Sequence, residues 1–102
     1  MHLIQLLLPL FDKRGRAQSP LLFRDVEREL TDRFGGITAY TRAPAQGKWT
    51  SEDGAVERDE IVVCEVMADD LDRAWWADYR ATLARRFDQD ELVVRSMVIE
   101  TL

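Results

Sequence analysis

Residues 61–67, IVVCEVM, form a β-branched apolar run with one carboxylate, Glu65, at its centre. A short run of this composition reads as a strand covered on both faces. A glutamate inside it is costly unless a cation or a hydrogen-bond donor meets it. Any fold for this chain must cover both faces of that strand and give Glu65 a partner.

The rest of the chain is long enough to do so. At 102 residues, with 46% apolar and 32% charged residues, it reads as one domain, residues 1–102. A domain of this size builds a core without disulfides or metals. The net charge of −5 argues against a nucleic-acid footprint and against an anionic membrane surface. Cys64 is the single cysteine, so neither a disulfide nor a zinc cluster is expected. It reads as a small buried hydrophobe in a reducing compartment. The apolar start MHLIQLLLPLF has no positive region before it, and it runs into Lys13, Arg14 and Arg16 rather than a cleavage site. It is also far short of the roughly 20 residues that span a bilayer. It is expected to be a first strand in a cytoplasmic protein, not a leader.

Taken in order, residues 2–11 alternate as a central strand that ends or bulges at Pro9. Ser19-Pro20 opens a helix as N-cap and first residue, and Phe23, Val26, Leu30 and Phe34 follow at helical spacing. Gly35-Gly36 closes it. Residues 37–42, ITAYTR, alternate as a second strand that Ala43-Pro44 is expected to stop. Residues 45–60 form a polar arm in which Asp53-Gly54 predicts a type I′ turn between 48–51 and 55–58. Strand 61–67 comes next. A second helix, capped by Asp69 or Asp70, carries Leu71, Trp75, Tyr79, Leu83 and Phe87 every fourth residue. That spacing predicts Trp75 in the core and Trp76 at its edge. Residues 92–101 form a last alternating strand.

The order β-α-β-β-α-β predicts an α+β, ferredoxin-like domain: a four-stranded antiparallel sheet, order 4-1-3-2, with two helices on one face. The GGITAY strand, the arm GKWTSEDG and the aromatic second helix together resemble small bacterial ferredoxin-like α+β domains of unknown function. The pattern is also similar to dimeric α+β barrels. The resemblance implies a fold and a dimer and brings no catalytic residues with it.

Period two sorts the strands into faces. Ile4, Leu6, Leu8, Ile37, Ala39, Val62, Cys64, Val66, Leu92, Val94 and Val98 are expected toward the helices. Leu3, Gln5, Leu7, Thr38, Tyr40, Arg42, Ile61, Val63, Glu65, Met67, Val93, Arg95, Met97 and Ile99 are left on the other face. That face is mostly apolar and has no helix to cover it, so a second copy packed sheet to sheet is the expected partner. Its polar groups, Glu65, Arg95, Gln5, Tyr40 and Arg42, form a row across the sheet if the registers agree. Two readings follow. One is a neutralising network in which an arginine answers Glu65. The other is a small-ligand site in an apolar cavity, with Trp49 packed on the sheet or the partner, or serving as a lid. The expected function is a homodimeric module that binds a small ligand or a protein partner, and the alternative is a cofactor-free enzyme with an isomerase or monooxygenase-like reaction. In it Glu65 is the base, Arg95 or Arg42 holds an oxyanion, and Tyr40 hydrogen-bonds it.

Other candidates are weaker. Lys13, Arg14 and Arg16 precede a helix start but lack any phosphate-loop pattern. His2 has no triad partners, and no cluster of metal ligands is apparent, so neither metal nor cofactor is expected. Strand 61–67 lacks the surface aromatics that RNA binding on such a sheet needs.

Overall fold

A computed structural model describes the backbone of residues 1–50 and 56–102, and the side chains of residues 1–38 and 61–102. The elements are β1 (His2–Pro9), α1 (Pro20–Phe34), β2 (Thr38–Thr50), β3 (Val56–Ala68), α2 (Arg73–Arg86) and β4 (Val94–Val98). The expected turn at Asp53-Gly54 falls outside the described residues.

The starts and stops of α1 have local causes. The Ser19 hydroxyl accepts from the Leu21 N–H, and Pro20 follows in the first turn, where no backbone donor is needed. Gly35 ends the helix at φ 80°, a conformation that favours glycine, and its N–H returns to the Thr31 carbonyl. Helix α2 begins at Asp72, not at Asp69 or Asp70: its carboxylate accepts from the Trp75 N–H at 3.1 Å. At its other end, the Gln18 and Gln89 amides both donate to the Phe87 carbonyl.

The expectation of a four-stranded antiparallel sheet, order 4-1-3-2, with two helices on one face needs correction in its sheet. The body is a three-stranded antiparallel sheet in which β1 lies between β3 and β4. Every buried strand side chain among the described residues belongs to β1 or β3: Ile4, Leu6, Leu8, Val62, Cys64 and Val66. β2 bonds to β3 alone, so hydrogen-bonded neighbours run β2-β3-β1-β4. Its far half pairs with residues 56–60, past the point where β1 ends at the Pro9–Ile61 pair. β2 and the start of β3 are therefore a two-stranded ribbon continuous with the sheet, and Ala43-Pro44 does not stop the strand. The ladder instead shifts register between Tyr40 and Ala45. An edge strand can absorb a proline in such an irregularity, because one side of it has no ladder to complete.

Two further expectations fail for geometric reasons. Among the α2 aromatics, Trp76 is buried at 6% exposure together with Tyr79, Leu83 and Phe87, and Trp75 is half-buried. A four-residue spacing drifts about 40° round a helix at each step, so a long every-fourth stripe cannot stay on one face. Positions 76, 79, 83 and 87 keep to it. Trp75 instead stacks on Tyr79, with the Arg33 guanidinium 4.2 Å from its ring centroid. In β4, Val98 was expected in the core and is 78% exposed. That strand, Val94–Val98, is also shorter than the expected 92–101.

The helices meet through Phe23 against Phe87 and Phe34 against Trp76. Between them, Glu29 of α1 accepts from both guanidinium nitrogens of Arg86 and from the Tyr79 hydroxyl. Arg86 beside it holds the Glu29 carboxyl below the usual range, and Tyr79 is raised by its burial and by Glu29.

Candidate functional site

Alternation in β1 turns Ile4, Leu6 and Leu8 into the core and leaves Leu3, Gln5 and Leu7 on the face away from the helices. Register then decides what stands beside each. Gln5 lies opposite Glu65 of β3 on one side and Arg95 of β4 on the other. The Gln5 amide nitrogen donates to the Glu65 carboxylate at 2.7 Å, and the Arg95 Nε donates to the Gln5 amide oxygen at 2.8 Å. One glutamine thus presents its donor to the anion and its acceptor to the cation. It stands where a direct ion pair would need to form, since Glu65 and Arg95 belong to strands two positions apart, roughly 9.5 Å. On the far side, Thr38 of β2 is opposite Glu65.

The row Arg95–Gln5–Glu65–Thr38 is bordered by two apolar rows. Met97, Leu3 and Met67 lie in register on one side. Val93, Leu7 and Val63 lie on the other, where the Leu7 N–H donates to the Val93 carbonyl. Met67, Val93 and Met97 are 56%, 48% and 44% exposed, unusual values for residues of this kind.

Of the predicted site residues, Gln5, Glu65 and Arg95 are brought together. Tyr40 pairs in backbone register with Val63, one row away, and Arg42 lies within the register shift of β2. Trp49 is opposite Glu57, beyond the end of β1. The side chains of Tyr40, Arg42 and Trp49 lie outside the described residues.

The sequence reading missed a groove of about 390 Å³ at the edge of the polar row. Leu3, Ile37 and Met67 line it with the polar Thr38 and Glu65, and Gly36 forms its rim. A Cβ built on Gly36 meets nothing within 4 Å. The Gly35-Gly36 pair was legible only as a helix stop. The second glycine, which has no positive φ to explain it, is the available signal.

Two of the three cations of the loop, Lys13 and Arg16, are paired with carboxylates. Lys13 meets Asp90 at 3.0 Å and Asp88 at 3.8 Å, and Arg16 meets Asp12 at 3.2 Å. Backbone N–H donation from Arg16 and Arg14 lowers the Asp12 carboxyl, and Asp90 raises the Lys13 ammonium. Among the described residues no group of three His, Cys, Asp or Glu is placed to hold a metal ion. Among them, too, no helix is long and apolar enough to cross a membrane. Compared with known proteins, the chain matches no family model, no curated protein and no solved structure.

Proposed function

We propose that this chain is a cytoplasmic homodimeric binding module whose two copies pack face to face through the open side of the sheet. The observation that carries the proposal is the banding of that face: a hydrogen-bonded polar row between two partly exposed apolar rows. An apolar patch of this kind marks an interface, and a self-complementary one suits a two-fold axis. Charge selects the axis. With the axis parallel to β1 and passing over Gln5, Arg95 of one protomer lies above the partner's Glu65, and the apolar rows coincide. Turned through a right angle, the axis would stack like charge on like. The groove beside Glu65, Thr38 and Ile37 lies at the margin of this interface. It suits a small ligand with an apolar body and a donor or cationic head.

The catalytic alternative is weaker for a geometric reason. A substrate bridging Glu65 and Arg95 would first have to displace Gln5, whose amide is already bonded to both.

A charge exchange tests the dimer. Arg95→Glu alone places carboxylate over carboxylate across the axis and is expected to shift the chain toward monomer at micromolar concentration. Adding Glu65→Arg restores the alternation between copies, and inside each chain the Gln5 amide needs only to flip. Recovery of the dimer in the double variant is the expected result. Equal self-association in all three proteins would contradict the proposed packing.

A further inference from the structure

The helix side of the sheet carries a second surface, at the free edge of β4. Within β4 the antiparallel alternation is fixed by two bonds to β1: Leu7 N–H to the Val93 carbonyl, and Ile99 N–H to the Met1 carbonyl. Odd-numbered residues therefore bond inward to β1. Val94, Ser96 and Val98 direct their N–H and C=O groups outward, where no strand pairs with them among the described residues. The side chains of these same three residues lie on the helix side of the sheet. There α2 leaves a groove of about 210 Å³. Ile4, Trp76 and Val94 form its apolar floor, and Arg73 and Arg80 stand on its α2 wall. Neither arginine has an ion-pair partner among the described residues, although the chain as a whole is acidic.

The geometry points to β4 as an acceptor for an extended acidic peptide, which adds as a strand and lays its carboxylates under Arg73 and Arg80. Seven residues of helix separate the two arginines, a rise of about 10.5 Å. Residues i and i+4 of a strand share a face and are about 13 Å apart, within reach of two flexible guanidinium groups. The residue between them, i+2, falls over the apolar floor opposite Ser96. The motif is therefore acidic-x-apolar-x-acidic, recognised by main-chain bonds along the edge and by side chains in the groove. A second copy is a poorer occupant of this edge. Pairing β4 with β4 about Ser96 would bring the arginines of both protomers onto one side of the joined sheet. Arg95, which also lines the groove, is the one residue it shares with the proposed dimer face, and the peptide test does not depend on that residue.

The test is fluorescence anisotropy with a labelled nonapeptide, Ser-Thr-Glu-Thr-Val-Thr-Glu-Thr-Ser, against the full chain. Saturable binding is expected. It should weaken at least about threefold in Arg73→Ala and in Arg80→Ala, as loss of a charged contact requires. Ser96→Pro removes the central outward donor and should abolish binding. If that variant fails to fold by circular dichroism, N-methylation of the peptide's central valine removes the reciprocal donor without touching the protein, and should abolish binding equally. Four results would overturn the proposal. They are no binding at millimolar peptide, equal binding of a permuted peptide with adjacent glutamates, equal binding of the N-methylated peptide, and binding undiminished when both arginines are lost.

Discussion

Gln5 is the residue through which the open face is organised, because it bonds to both charges. Replacing it with leucine keeps the size and removes both bonds. The expected loss is about 1–2 kcal/mol in urea denaturation, the range for bonds to charged groups at a half-exposed site. A variant as stable as the parent would show that the row does not hold the sheet together. Period two was enough to put Gln5, Glu65 and Arg95 on one face. Their adjacency was not legible, because which residue stands opposite which is a property of two strands and no single strand encodes it. Thr38, which pairs with Glu65 in backbone register on β2, was placed on that face but left out of the polar row for the same reason. Cys64 illustrates what burial alone decides. Desolvation pushes its thiol up to about 11. It should therefore resist thiol reagents in the native protein at mildly alkaline pH and react once the chain is unfolded. Because the folded thiol holds its proton more tightly, its share of stability is present below the ordinary value of 9.0 and is lost as pH rises toward 11. Rapid labelling under native conditions would contradict the burial.

At the scale of elements, the pairing of α1 with α2 depends on Glu29, Arg86 and Tyr79. Arg86 depresses the Glu29 carboxyl, so the contact stabilises the fold above the ordinary value of 4.5 and is lost as pH falls below it. Glu29→Gln should cost about 1 kcal/mol near neutrality, given the partial exposure of the pair. Thermal melts of parent and variant should converge on acidification, and a gap that persists at low pH would contradict this origin. The helix ends were readable because capping is local: Ser19-Pro20 and Gly35 are short signals with one structural meaning. The buried face of α2 was misread because a stripe of fourth residues looks periodic while slowly leaving its face, and Trp76 was set aside for Trp75. The length of β2 was misread because Pro44 was taken as a stop, whereas an edge strand has room to shift register around it.

For the whole molecule, the order of helices and strands was legible from periodicity, and the shape of the sheet was not. Two helices cover a sheet of three strands, and β2 extends from its side as a ribbon with β3. The face those helices leave open carries its large apolar side chains in two rows with charge between them. A free monomer would leave both rows in water, and a face-to-face pair removes them. Met97→Glu places a charge in the middle of one apolar row without touching the buried core, so it should dissociate the pair and leave the fold intact by circular dichroism. The solution mass, measured by light scattering at micromolar concentration, tests this account most directly. It predicts twice 11.8 kDa for the parent chain and 11.8 kDa for Met97→Glu. A parent chain at 11.8 kDa throughout would contradict it.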